Sequence, residues 1–405
     1  MAEEKFNLPI SVDSIKNILT LRYDPSQKPK LSPLNWKQIK PTENASSNFI
    51  QTTIQDSIKN SLNPEPKSLS IALSGGIDST LVLGLLKKTF PNTKINAISI
   101  KFSDSIDETQ QAKKIAEHFE ADHQILELEN YLENLPKAIS ITGLPFWDNH
   151  WYYVVEKASK ISKYLISGDG GDELFGGYTF RYSKFFSLIS QKSSPLDKVK
   201  AYLQCHERDS VPDQSKLFGT KIDFNWNSIY SNILPYFQNE LSTLDQLFLA
   251  DYNGKLLYNF SLLNSKFHDH FNIKSITPII SNELISYSSK IKFNEKYDPV
   301  KNIGKLPFRK ILSELNISHL VSDKKQGFSV NTVNLWKTFG LEICKSILLD
   351  GRIVSDGFIN NEWIKKYIDQ KDLDVRYINK FFGLLAFEIW YRIFITQEMN
   401  SNTSL

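Results

Sequence analysis

The sequence predicts a doubly wound α/β fold, and three observations carry that prediction. Between Ser68 and Ser167 short apolar runs alternate with helical patterns in β-α-β-α-β-α-β order, which implies a parallel sheet with helices on both faces. The first and last of these runs pass directly into glycine-rich loops, and open α/β sheets bind ligands beyond the carboxyl ends of their strands. After about residue 185 the apolar spacing turns mostly helical, so a helical region should cover one side of the sheet.

Each element has its own signal. Residues 24–67 hold six prolines (Pro25, Pro29, Pro33, Pro41, Pro64 and Pro66) among many Ser, Asn and Lys, and read as irregular connector. Just before them Leu19, Leu21 and Tyr23 alternate as on a strand. SLSIAL (68–73) is a short apolar run, LVLGLLKK (81–88) is helical and KINAISIKF (94–102) is strand-like. Ala112, Ile115, Ala116 and Phe119 recur at i, i+3, i+4 and i+7, marking an amphipathic helix. HQILEL (123–128) suits a strand, 149–162 a helix and KYLIS (163–167) a fourth strand. The most apolar stretch, FFGLLAFEIWYRIFI (381–395), carries Glu388 and Arg392 at i, i+4 and is a buried helix rather than a membrane span.

Composition narrows the function. At about 150 residues per domain, 405 residues predict two or three modules. The 48 Lys+Arg against 45 Asp+Glu leave a net charge of +3, too mild for a dedicated nucleic-acid binder. A hydrophobic content of 41% excludes a disordered chain. Cys205 and Cys344 stand far apart, so neither a disulfide framework nor a CxxC site is expected. The N-terminus MAEEKFNLPI has acids where a signal peptide has basic residues. A cytoplasmic protein without membrane or nucleic-acid partners is the expectation.

Two loops carry the chemistry. Leu73-Ser74-Gly75-Gly76-Ile77-Asp78-Ser79-Thr80 joins a strand to a helix, with glycines where the backbone must approach a ligand closely. Backbone N–H groups at the positive helix end bind phosphate oxygens, and the hydroxyls add hydrogen bonds. The Walker lysine is missing, and Asp78 would repel a phosphate unless a cation lay between them, which suggests Mg²⁺. The second loop, Ser167-Gly168-Asp169-Gly170-Gly171-Asp172-Glu173-Leu174-Phe175-Gly176-Gly177-Tyr178, holds three carboxylates among five glycines. Mg²⁺ takes one or two carboxylates plus phosphate oxygens, so Asp78 and Asp172 can share one ion on ATP. The plain alternatives are a strand-to-helix turn with a helix-capping Asp and a solvated acidic turn, at about one chance in ten each.

These loops resemble those of the asparagine synthetase family, whose synthetase domain is a PP-loop ATP pyrophosphatase. The resemblance runs from about residue 56 to 395. SGGIDST is shared by the wider PP-loop group, whereas SGDGGDELFGGY is much more specific to asparagine synthetase-like domains. PFWD (145–148), GKLPFR (304–309) and KKQGF (324–328) resemble further family segments in the expected order, and the C-terminal helix with Glu388, Trp390 and Arg392 also fits. The resemblance implies that ATP activates a carboxylate as an acyl-adenylate with release of pyrophosphate, and that ammonia or an amine then attacks.

Residue by residue, the resemblance gives the first loop to pyrophosphate, Asp78 and Asp172 to Mg²⁺, the backbone near Ile100 to adenine, and Ser167 and Gly168 to the ATP site. It gives Lys305 to the charge on the adenylation transition state, Lys325 to a second phosphate contact, and Asp169, where glutamate is commoner, to a base for the attacking nitrogen. Asp148, Lys274 and Ile276 are candidates for the acceptor pocket. The implied organisation is a synthetase-like domain over 67–405, with an ATP-binding core (67–190) and a mainly helical part (191–405) completing the site. LRYDPSQKPKLSPLNWKQIKP (21–41) resembles the tail of the family's glutaminase domain, making 1–66 a truncated remnant and connector. Ala2 stands where the family has its glutaminase cysteine. Nitrogen is therefore expected as free ammonia, from a separate glutaminase subunit or from a substrate amine, and a homodimer is compatible with this.

The segment FHDHFNIKSITPIIS (267–281) departs from the family pattern. Lys274 stands at a Glu position, Ile276 at an Arg position and Ser281 at an Asp position. A buried ion pair does not lose one member cheaply, so the surroundings or the acceptor pocket must differ. Aspartate is the first acceptor to name, and another acid, in envelope or secondary metabolism, is the alternative. His268-Asp269-His270 offers two metal ligands without a third and reads as polar pocket or surface. A tRNA-modifying PP-loop enzyme is disfavoured by the isolated cysteines and mild charge, and a non-catalytic ATP-binding subunit by the presence of Asp78, Asp172 and Lys305.

Overall fold

A computed structural model describes residues 9–102, 107, 109–322 and 330–405. Five parallel strands form the central sheet: β1 (Ser68–Ala72), β2 (Lys94–Phe102), β3 (Asp122–Leu128), β4 (Tyr164–Ile166) and β5 (Lys274–Ile276), in the order β3-β2-β1-β4-β5. The sequence alternation thus gives the doubly wound α/β fold it predicts.

Side-chain alternation along the strands feeds two cores. Ile95 and Ala97 of β2 join Leu69 and Ile71 of β1 in one buried cluster, while Ile98, Ile100 and Phe102 enter the other. Burial on both faces is what a parallel sheet requires. The helices Ile77–Thr89, Thr109–His118 and His150–Ser159 lie where the sequence places them. The helix Val375–Phe394 is almost wholly buried, and its Glu388, fully buried, accepts from the backbone N–H groups of Arg352 (2.8 Å) and Ile353 (2.9 Å) and pairs with Arg392. Among the described residues, no helix is long and apolar enough to cross a membrane.

Three elements differ from the sequence expectation. Residues 19–23 are not a strand: a helix, Val12–Leu21, is capped by the Ser11 side chain and ends at Arg22, whose φ is 59°. Its Ile15, Ile18 and Leu19 bury one face at helical spacing, a period that outweighs the local alternation of Leu19, Leu21 and Tyr23. The connector 24–67 contains a helix, Ser47–Ser61, in its proline-free stretch, with Ile50, Ile54 and Ile58 all fully buried at four-residue spacing. The prolines mark only its flanks. Finally, β5 comes from beyond residue 190, so the helical region also supplies the edge of the sheet.

Candidate active site

β1 and β4 are adjacent, so the loops that leave their carboxyl ends face each other. Leu73 N–H still donates to Ile98 O (2.9 Å), after which the chain turns through Ser74–Gly76 into the helix Ile77–Thr89. Ser74 and Ser79 line the resulting cavity, with their hydroxyls 3.3 Å apart. Thr80 is turned away, its hydroxyl donating to Gly76 O (2.7 Å), and Gly75, Gly76 and Ile77 build the turn rather than the wall.

The glycines of the second loop allow the two loops to touch. A Cβ on Gly168 would stand 2.7 Å from the backbone of Asp78 and Ser79, and one on Gly171 would stand 2.3 Å from Asp78 Oδ1. Any side chain at either position would push the loops apart. Ser167 N–H donates to Ile276 O (3.1 Å), tying this loop to β5.

Into this junction comes Lys305. It precedes the helix Leu306–Glu314 in a left-handed conformation, φ 56°, which aims its side chain back across the loops. Its Nζ lies 2.5 Å from Asp78 Oδ2 and 2.8 Å from Asp172 Oδ1. Burial works against the ammonium, but Asp172 and Asp78 outweigh it and hold its pKa well above the ordinary lysine value. Asp78 and Asp172 thus flank the Lys305 ammonium. Two carboxylates so placed beside an anion cradle fit Mg²⁺, which takes one or two protein carboxylates and leaves its other positions to phosphate and water.

The cavity, about 290 Å³, extends from this cluster along the strand ends, and Ile98, Ser99 and Ile100 line it beside Leu73. Ser167, Gly168 and Asp169 also line it. Asp169 accepts from Ser167 Oγ (2.8 Å), and burial raises its pKa against the lowering effects of that bond and of His150. Glu173, 4% exposed, is pushed up to about 7 by burial and by Asp172, with the hydrogen bond from the Tyr178 hydroxyl opposing.

The remaining candidates are differently placed. Asp148 is not part of this cavity's lining: it is held by Arg22 Nη2 (2.6 Å) and the Tyr131 hydroxyl (3.0 Å), with His150 Nδ1 at 3.4 Å, and borders a separate small cavity. Lys274 is not a pocket residue: it opens β5, at the end of the sheet away from the loops, and its exposed side chain donates to Ser61 O (2.6 Å). Ile276 is not one either, because it is a buried strand residue in the core that contains Leu69 and Ile71. Ser281 caps the helix Asn282–Ser288. His268 accepts from Trp151 Nε1 (2.7 Å), and burial lowers its pKa to about 4, so it is a neutral packing residue. Among the described residues, no group of three His, Cys, Asp or Glu side chains is placed to hold a metal. Lys325 lies outside the described residues.

Several wall residues escaped the sequence reading. His150, Trp151 and Val154 come from the start of the helix His150–Ser159, and Leu256, Phe260 and Asn264 come from the helical stretch 255–270, which follows a kink at Gly254 (φ −95°, ψ −113°). The spacing of the second set, i, i+4 and i+8, was the available signal, but nothing in the sequence says which face meets the sheet.

A parallel sheet whose two strand-end loops form a glycine cradle beside a carboxylate–lysine cluster defines a doubly wound α/β protein with its site at the carboxyl ends of the strands. The chain belongs to the asparagine synthase family, whose model matches residues 50–392. It is 23% identical to Asparagine synthetase [glutamine-hydrolyzing] 1 of Bacillus subtilis over 89% of this chain and 62% of that protein. It is 36% identical to Putative asparagine synthetase [glutamine-hydrolyzing] 2 of Methanocaldococcus jannaschii over 26% of this chain and 22% of that protein. A third relative, NH(3)-dependent NAD(+) synthetase of Carboxydothermus hydrogenoformans, is 28% identical over 26% of this chain and 54% of its own length. The chain therefore spans less than two thirds of each of these relatives.

Proposed function

We propose that this protein is an ATP-dependent carbon–nitrogen ligase that activates a carboxylic acid as its adenylate and passes the acyl group to ammonia or an amine. The observation that carries the reading is Lys305 held between Asp78 and Asp172 at the mouth of the glycine cradle. In the first step an acceptor carboxylate oxygen attacks the α-phosphorus of ATP, the α–β bridging bond breaks, and pyrophosphate leaves. The backbone N–H groups of 74–79 and the Ser74 and Ser79 hydroxyls receive phosphate oxygens. Lys305, charged throughout the neutral range, meets the negative charge that grows on the departing group. Mg²⁺, held by Asp78 and Asp172, would offset the repulsion between these carboxylates and the phosphates.

In the second step the nitrogen attacks the acyl carbon, AMP leaves with the former carboxylate oxygen, and a proton leaves the nitrogen. Asp169 lies on the cavity wall, and its raised pKa makes it a better acceptor for that proton than an ordinary aspartate. Aspartate is the reference acceptor that the family suggests, with ammonia or a partner glutaminase as nitrogen source. Two cysteines without a disulfide suit a cytoplasmic setting.

The test is ATP–pyrophosphate exchange with purified protein, Mg²⁺ and a panel of acids, followed by amide formation on adding ammonium. Acid-dependent exchange is expected, with Asp78→Ala abolishing it. Exchange that no acid stimulates would overturn the reading.

A further inference from the structure

We propose that the acceptor is a monocarboxylic acid with an apolar body, and not a dicarboxylic acid such as aspartate; this rests on the ligase reading above and names the substrate class of the same site. The helical stretch 255–270 turns Leu256, Phe260 and Asn264 to the cavity at four-residue spacing, and none of them is charged. From the helix His150–Ser159 come His150 and the apolar Trp151 and Val154, both of the latter buried. Trp151 has its indole N–H engaged by His268, so it offers the cavity an apolar face in a fixed orientation. Two apolar side chains on each of two elements make a slot for a hydrocarbon chain or ring.

The electrostatics of the same cavity disfavour a second carboxylate. Asp78, Asp169, Asp172 and Glu173 lie on its wall with His150, and among the described residues no lysine or arginine does. Lys305 stands beside it, between Asp78 and Asp172, and the ligase reading gives its charge to the departing pyrophosphate. The carboxylate being adenylated meets the phosphate machinery, but a further carboxylate on the acceptor would be desolvated against Leu256 and Phe260 with like charges nearby. Ile276 puts a buried apolar side chain in β5, and Lys274 is committed to Ser61 at the other end of the strand, so neither supplies a partner.

The experiment is ATP–pyrophosphate exchange with Mg²⁺, comparing hexanoate, 3-phenylpropionate and leucine with aspartate and glutamate. At least one apolar acid is expected to exceed both dicarboxylates by about tenfold or more in kcat/KM, the scale of a single pocket contact. A second arm uses Asn264→Arg, which places a cation on the partly exposed edge of the slot. It is expected to shift the aspartate-to-apolar ratio by about tenfold toward aspartate. Exchange driven best by aspartate in the wild-type protein, or an unmoved ratio in the variant, would overturn the acceptor assignment while leaving the ligase reading intact. Exchange with none of the five acids would overturn the ligase reading itself, and the acceptor assignment with it.

Discussion

Arg22 Nη2 lies 2.6 Å from Asp148 Oδ2, joining the end of the first helix to the segment that leads into His150 on the cavity wall. The pair is partly exposed, and Arg22 also reaches Asp209 at 3.7 Å. Asp148 is held well below the ordinary carboxylate range: its burial is outweighed by His150 and Arg22, with help from Tyr131. An acid with a depressed folded pKa stabilises above its unfolded value, near 3.9, and that contribution is lost as pH falls further. Arg22→Ala is expected to cost about 2 kcal/mol at pH 7, between the values for surface and buried pairs. Urea titrations should show it, and the deficit should shrink below about pH 4.

Lys305 has a task that its charge alone does not define. Lys305→Met is expected to reduce pyrophosphate exchange by about 10²- to 10³-fold, the usual effect of removing one transition-state donor. Lys305→Arg should not restore it, because a planar guanidinium cannot occupy the point between Asp78 and Asp172 that a compact ammonium fills. Exchange kinetics at saturating ATP decide the matter, and full rescue by arginine would contradict this geometry.

Gly171 is required for a spatial reason. A methyl group there would stand 2.3 Å from Asp78 Oδ1. Gly171→Ala should therefore displace Asp78 and abolish Mg²⁺-dependent exchange, while costing about 1–3 kcal/mol of stability through overpacking. Thermal melting beside the exchange assay separates the two effects.

Lys296 is a buried cation away from the cavity. Its Nζ donates to Ser288 O (2.5 Å) and lies 3.9 Å from the centre of the Phe248 ring. Burial pushes its pKa down to about 7, against the raising effect of Asp245. Between that value and the unfolded one near 10.4, the unfolded chain binds more protons, so stability from this group rises with pH. Lys296→Met should remove that rise. The difference in Tm between variant and wild type, followed from pH 7 to pH 10, is expected to move steadily in favour of the wild type.

Much of the fold was legible because its signals are local. A strand that runs into glycines, and Ala112, Ile115 and Ala116 at helical spacing, report themselves within a dozen residues. The helix Ser47–Ser61 was hidden by prolines on either side, and β5 by its length, since a three-residue strand carries no period. Lys274 and Ile276 were placed from their position in a family segment, and strand direction took Lys274 to the far end of the sheet while Ile276 turned its side chain into the core.

The sequence by itself determined the two loops, their carboxylates and the order of strands and helices that brings both loops to one edge of a sheet. Only the tertiary structure decided that Lys305 meets Asp78 across 227 residues of chain, and that Leu256, Phe260, Trp151 and Val154 share a cavity with Asp169 and Glu173. Backbone periodicity and turn chemistry act between near neighbours and are written locally. Which face of one helix packs over the strand ends depends on the burial of the whole chain at once, and no short stretch of sequence holds that information.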